Sequence, residues 1–291
     1  MRRLLVAFAA VGAIGIISVL CVGWLLARSV QMRLGSPPAD LNAQAVAFAS
    51  GSSANVHGWW CPIQNDRGIV LLLPGIRANR LSMIDRGRFL RRAGYSVLLI
   101  DFQATGETKG DHITFGWKES QDVLAAMNFL RQTDRADHIA IIGSSLGGVA
   151  ALLATPPLKV DALVLEEVYP TIEIATRNRM ENHLGVLGRI LTPVLLKQLQ
   201  WRLGISFSQL RAVEHIGDVQ CPVFIMSGEK DRNTRTSDTR MLFERARSPK
   251  ELWFIPTAGH VDLHRAAQKE YETRVLAFLA QIAKPPGHAT P

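Results

Sequence analysis

HIAIIGSSLGGVAALLA, residues 138–154, is the stretch from which the fold can be read. Its opening run, Ile139-Ala140-Ile141-Ile142, is short, rich in β-branched residues and closed by Gly143, the pattern of a strand buried on both faces of a parallel sheet. Gly143-Ser144-Ser145-Leu146-Gly147 then matches G-x-S-x-G, in which a serine occupies a strained strand-to-helix turn and the glycines let neighbouring backbones approach. The small-residue helix expected over 148–154 begins beneath the hydroxyl. Its first N–H groups point where negative charge develops if Ser145 attacks a carbonyl, so Leu146 N–H is the first candidate oxyanion donor.

Outward from this turn the chain alternates strands and helices. That is the signature of an α/β fold with a mostly parallel central sheet and helices on both faces. Residues 43–50 and 54–63 read as a strand pair around Gly51-Ser52-Ser53, and 69–73, 96–100, 162–165, 223–226 and 251–255 as strands. Helices are expected over 79–93, 117–132 and 264–282. From about 168 to 217 the alternation stops and helical patterning takes over, interrupted by Gly185, Gly188, Pro193 and Gly204. An insertion there sits over the carboxyl ends of the strands, where ligands bind in open α/β sheets, and reads as a helical lid.

A serine hydroxyl is a weak nucleophile unless a histidine, oriented by a carboxylate, comes within hydrogen-bond reach. Of eight histidines, His260 is best placed, on the loop after the strand over 251–255; His57, inside a strand, reads as a surface or packing residue. Asp231, in Ser227-Gly228-Glu229-Lys230-Asp231, ends the preceding strand and completes the order nucleophile, acid, base. Glu166 and Glu167 end a strand one earlier and are the runners-up for the acid. Asp262 is too near His260 in sequence to be its obvious orienter and is expected to be structural, and Asp101 reads as the anchor of a turn. The second oxyanion donor is expected from Pro74-Gly75-Ile76, as Ile76 N–H.

The segments LLLPGI (71–76), DFQATGETKG (101–110), GSSLGG (143–148), SGEKD (227–231) and AGHVDL (258–263), in that order, resemble the alpha/beta hydrolase superfamily. The resemblance is strongest to membrane-associated serine hydrolases grouped with serine aminopeptidase-like and monoacylglycerol lipase-like members. It implies a triad of Ser145, Asp231 and His260, an oxyanion hole of Ile76 and Leu146 N–H groups, and hydrolysis of an ester or thioester through an acyl-serine. Many relatives carry His-Gly where this chain has Pro74-Gly75, a difference that bears on the oxyanion loop and not on the triad. A non-catalytic binding module on the same fold, and peptidase or acyltransferase use of the same triad, are the alternatives.

The first 34 residues read as a membrane anchor. Arg2-Arg3 precede an uncharged run from Leu4 to Ala27, long enough to cross a bilayer as a single helix of about 20 residues or more. It exceeds the core of a secretory signal and lacks a small-x-small cleavage site. The positive flanks differ little, with a slight bias that places the hydrolase domain outside the cytoplasm. Residues 35–42 form a proline-stiffened linker, 43–284 the hydrolase domain and 285–291 a polar tail. The net charge is +8, with Arg77, Arg80, Arg86, Arg88, Arg91 and Arg92 concentrated in one stretch that reads as a solvated helix face. No nucleic-acid motif is present, and no metal or organic cofactor is expected, since H-E-x-x-H, paired C-x-x-C and P-loop patterns are missing. An acyl substrate and the membrane are therefore the expected partners. Cys61 and Cys221 could pair only if the fold joins them.

Overall fold

The computed structural model describes residues 1–133 and 138–281, apart from the side chains of residues 2, 4–9, 11, 13, 14 and 16. In chain order the first elements are α1 (Arg2–Ala27), β1 (Val30–Gln31), β2 (Gln44–Ala49), β3 (Asn55–Cys61), β4 (Ile69–Leu73), α2 (Ile84–Arg92) and β5 (Ser96–Ile100). They are followed by β6 (Thr105–Gly106), α3 (Trp117–Arg131), β7 (Ile139–Ser144), α4 (Leu146–Leu152), β8 (Ala162–Glu166) and α5 (Ile172–Leu203). The last are α6 (Ala212–His215), β9 (Val223–Gly228), α7 (Thr236–Arg245), β10 (Lys250–Ile255), α8 (Leu263–Ala266) and α9 (Gln268–Ala280).

Strands without polar alternation need cover on both faces, and β4 (IVLLL) and β5 (SVLLI) are buried throughout. They lie inside an eight-stranded sheet of order β10-β9-β8-β7-β4-β5-β3-β2, parallel from β10 to β5 and antiparallel at β3 and β2. Side chains leave the sheet alternately. Ile69, Leu71 and Leu73 enter the core beside Ile141, Val149 and Leu165, whereas Val70 and Leu72 enter the opposite one with Phe89, Ile142 and Phe278. From β4 the chain moves to β5 on one side and then returns to β7 on the other. The crevice above the β4 and β7 ends is thus the topological switch point, where ligands bind in such sheets.

The lid forms one span, α5, but Gly185 inside it is non-helical (φ 57°, ψ −136°), which splits it where the sequence suggested. Thr171 caps its start by accepting from Ile174 N–H. The tail over 285–291 lies outside the described residues.

Among the described residues no helix is long and apolar enough to cross a membrane. The expected crossing segment, 4–27, coincides with α1, much of whose amino-terminal half falls on side chains outside the described set. The carboxyl-terminal end of α1 lies on the lid, with Val19 and Ala27 buried and Gln198 Nε2 donating to Val19 O at 2.9 Å. Beyond it the chain continues on the domain surface. There β1 pairs in parallel with β6, Val30 N–H donating to Ala104 O and Met32 N–H to Gly106 O, both at 2.8 Å.

The arginine-rich stretch departs from expectation. It does not present one solvated face: Arg80 and Arg86 are only 1% and 2% exposed. Arg80 pairs with Asp101 and Glu107, and Arg86 with Glu166 and Asp262. Buried carboxylates at the ends of β5 and β8 supply partners that periodicity cannot reveal. Cys61 and Cys221 are buried and unpaired, and burial pushes their thiols up to about 12 and about 11.

Candidate active site

Ser145 stands between the last residue of β7 and the first of α4 with φ 47° and ψ −108°, a left-handed backbone rarely held by a residue with a side chain. Three glycines make the turn possible. A Cβ on Gly143 would come within 2.6 Å of Gly148 N, one on Gly147 within 2.5 Å of Leu73 O, and one on Gly148 within 2.2 Å of Val168 Cγ2. Ser145 N–H donates to Glu166 O at 2.7 Å, tying the turn to the end of β8. The residue is 5% exposed, and its Oγ has no hydrogen-bond partner among the described residues.

The loop after β4 reaches the same place. A Cβ on Gly75 would lie 3.8 Å from Ser144 O and 3.9 Å from Ser145 Cβ, so its backbone is against the turn. Ile76 packs in a small cluster with Leu146, Ala104 and Ile113. The two candidate oxyanion residues are therefore brought together beside Ser145. Leu146 is the first residue of α4, and its N–H has no acceptor within the helix.

Asp231 and His260 come from the loops after β9 and β10. Those loops are laced by Glu229 N–H to Ile255 O and Lys230 N–H to Ala258 O, both at 2.9 Å. Gly228 permits the approach, since a Cβ there would fall 2.4 Å from Ala258 O. Asp231 Oδ1 accepts N–H groups from Asn233 (2.7 Å) and Thr234 (2.9 Å), while Oδ2 accepts His260 Nδ1–H at 2.7 Å. One carboxylate oxygen is thus pinned by backbone and the other sets the imidazole tautomer, which makes Nε2 the acceptor nitrogen. What faces Nε2 is not Ser145 but Arg179 of α5, whose Nη2 lies 3.5 Å away. Asp231 and His260 are joined; His260 and Ser145 are not hydrogen-bonded.

The runner-up acids separate. Glu166 is engaged by Arg86 and Tyr271. Glu167 lies beside the histidine: Oε1 accepts Val261 N–H at 3.0 Å and Oε2 is 3.8 Å from His260 Nδ1. Burial first, and the Asp231 charge second, push its carboxyl up to about 9, so it is neutral at pH 7. Asp262 caps α8 and pairs with Arg86, and Asp101 holds the loop after β5 by accepting Arg80 N–H (2.8 Å) and Glu107 N–H (2.9 Å). His57 is half-buried in β3, as expected of a packing residue. Ligand atoms of Glu167, Asp231 and His260 lie within 4.8 Å of one another. Nδ1 donates to Asp231 Oδ2, and Asp231 Oδ1 accepts two backbone N–H groups, so these atoms are already engaged in hydrogen bonds.

A carboxyl whose folded pKa lies above its unfolded value binds an extra proton in the native state between those two values. Stability then falls as pH rises through that window. Glu167→Gln, an isostere of the neutral acid, is expected to flatten the loss of melting temperature between pH 5 and pH 9. Parallel wild-type and variant curves across that range would show that Glu167 is ionised in the native state.

A cavity of about 160 Å³ opens between α1 and α5, walled by Val22, Leu26, Ile76, Phe115, Tyr169, Ile172 and Leu195, with Arg179 and His183 among its polar residues. Ile76 and Arg179 join it to the site. A larger hollow of about 640 Å³, between β2 and α3, lies elsewhere and offers amides and Arg131 but no nucleophile. Arg179, Tyr169 and Phe115 are not legible in the sequence, because a single residue on a lid helix or a strand-to-helix loop carries no spacing signal. Glu167 was visible only as a possible acid.

A family model described as "Alpha/beta hydrolase family" matches residues 69–273. Among relatives, the uncharacterized protein YqkD of Bacillus subtilis is 21% identical over 244 residues, covering 82% of this chain and 80% of its own. The alpha/beta hydrolase domain-containing protein WAV2 of Arabidopsis thaliana is 25% identical over 272 residues, covering 84% and 82%. Among solved structures, the Pyrococcus furiosus esterase Pf2001 superposes with a TM-score of 0.72 at 24% identity, covering 89% of this chain and 100% of its own.

Proposed function

The chain belongs to the alpha/beta hydrolase family, and from that premise we propose that it is a membrane-anchored serine hydrolase cleaving a carboxylic ester or thioester through an acyl-serine intermediate. The observation that carries the reading is the Asp231 to His260 hydrogen bond of 2.7 Å on the same sheet rim as a strained, buried Ser145. His260 Nε2 takes the Ser145 proton, Oγ bonds to the carbonyl carbon, and the Ile76 and Leu146 N–H groups receive the oxyanion. Collapse breaks the bond to the leaving group, which His260 protonates. Water, deprotonated by the same nitrogen, then releases the acid and restores the serine. Hydrogen bonds between base and nucleophile commonly tighten only in the substrate complex, which suits the separation of His260 from Ser145 here.

An ester or thioester is favoured over a peptide by the apolar cavity and by likeness to the Pyrococcus enzyme, whose name is esterase. The uncharged run that begins at Leu4 supports attachment to a membrane through the start of α1, the end of that helix from Val19 to Ala27 resting on the lid, with the hydrolase domain outside the cytoplasm. The test is a fluorophosphonate probe, which reacts with an activated serine. The expected result is labelling at Ser145 that disappears in His260→Ala; labelling unaffected by that change, or none at Ser145, would make the chain a binding module on a hydrolase fold.

A further inference from the structure

Among the described residues the lid contributes a half-buried cation, Arg179, that forms no ion pair. On α5, Glu173 pairs with Arg211 at 3.0 Å, Glu181 with Arg235 at 2.7 Å, and Asn178 with Asp238 at 2.7 Å. Arg179, half-buried on the same helix, has no carboxylate within ion-pair distance among the described residues; its hydrogen-bond partner is His260 Nε2. Taking a guanidinium partly out of water without a counter-ion is unfavourable, and planar carboxylate and phosphate groups are its best partners. Its location says which part of a substrate could supply one. Nε2 is the atom that returns a proton to the departing alcohol, so a guanidinium 3.5 Å from it lies beside the alcohol half of an ester. Beside it, Val22 and Leu26 of α1 and Phe115, Tyr169, Ile172 and Leu195 wall an apolar cavity suited to a hydrocarbon chain.

We propose that the substrate is an amphiphilic ester bearing an anion on its alcohol half, the acyl chain lying between α1 and α5 and the anion held by Arg179. The idea rests on the ester-hydrolase reading and narrows it. It also accounts for two features together. Before substrate arrives, Arg179 occupies the lone pair that Ser145 needs, and the serine hydroxyl has no hydrogen-bond partner among the described residues. An anion draws the guanidinium aside, and Nε2 becomes free to accept the Ser145 proton as the scissile ester is seated.

The test uses the full-length protein in detergent micelles and three esters of one fatty acid: a neutral monoacylglycerol, the same acylglycerol carrying a 3-phosphate, and the O-acyl ester of glycolate. The wild type is expected to prefer an anionic ester by tenfold or more in kcat/KM. Arg179→Met should lose about tenfold or more on that ester, chiefly through KM, while turning over the neutral one faster because Nε2 is unoccupied. Arg179→Lys, which keeps the charge without the planar fork, should recover part of the loss. Preference for the phosphate points to a membrane lipid as the source, and preference for glycolate to a soluble carboxylate. Equal losses on neutral and anionic esters, or no preference in the wild type, would overturn the assignment of Arg179. Protection of Ser145 from the fluorophosphonate by dodecyl phosphate but not dodecanol, abolished in Arg179→Met, gives the same answer without turnover. Hydrolysis persisting in Ser145→Ala would instead sink the serine-hydrolase reading itself.

Discussion

Ester hydrolysis by Ser145→Ala is expected to fall by about 10⁴-fold or more in kcat/KM, while the melting temperature holds or rises. The two halves of that result come from the same atoms. The hydroxyl is buried and has no hydrogen-bond partner among the described residues, so its removal relieves an unsatisfied polar atom rather than breaking a contact. The left-handed backbone at 145 is imposed by the glycines around it and is no harder for alanine than for serine. Adding His260→Ala to the alanine variant should cost little further activity, because a base with no nucleophile to deprotonate has nothing left to do. Steady-state kinetics on a chromogenic ester would check both. Activity of the single variant within tenfold of wild type, or a large extra loss in the double variant, would mean that His260 acts on water directly and that Ser145 is a bystander.

The parts of this architecture that were legible share one property: each is written in a local run. Unbroken aliphatic stretches mark β4, β5 and β7, a five-residue turn pattern marks Ser145, and loops directly after strands mark Asp231 and His260. What was illegible depends on partners far apart in sequence. Val30 and Gln31 form only two residues of strand, and nothing in them announces that Thr105 and Gly106 will pair with them. Arg80 and Arg86 sit among arginines that do face solvent, and only the folded positions of Asp101 and Glu166 turn them inward. Arg179 has the same origin, because a helix over the sheet rim aims one residue per turn at the site and the sequence does not say which. Charge placement, more than element placement, is where a single sequence underdetermines this site.

The buried charge with the largest expected influence is Arg86. Its Nε and Nη2 grip the two oxygens of Glu166 at 3.0 and 2.6 Å, Nη2 also meets Asp262 at 2.9 Å, and Tyr271 OH, 3.2 Å from Arg86 Nε, donates to the same Glu166 oxygen that Nε holds. Burial works against the charge, but the Glu166, Tyr271 and Asp262 oxygens outweigh it and hold the guanidinium well above its ordinary pKa, so Arg86 stays charged. Arg86→Met therefore leaves a carboxylate that is 1% exposed with a phenol as its remaining donor, a loss of about 3–5 kcal/mol. Glu166→Gln should be milder, since the amide keeps an acceptor for Arg86 and Asp262 retains its contact. Combining the two should recover part of the Arg86→Met loss, because no unpaired carboxylate remains at position 166. Urea unfolding midpoints measure all three. The pair also bears on the chemistry: the carbonyl of Glu166 receives Ser145 N–H, and Asp262 stands two residues beyond His260, so one guanidinium braces both the nucleophile turn and the histidine loop. Arg86→Met should accordingly lower kcat more than it raises KM at temperatures where it is still folded. A single variant less than about 1 kcal/mol below wild type would show that the pair is replaceable packing and that the turn at Ser145 is held by its glycines alone.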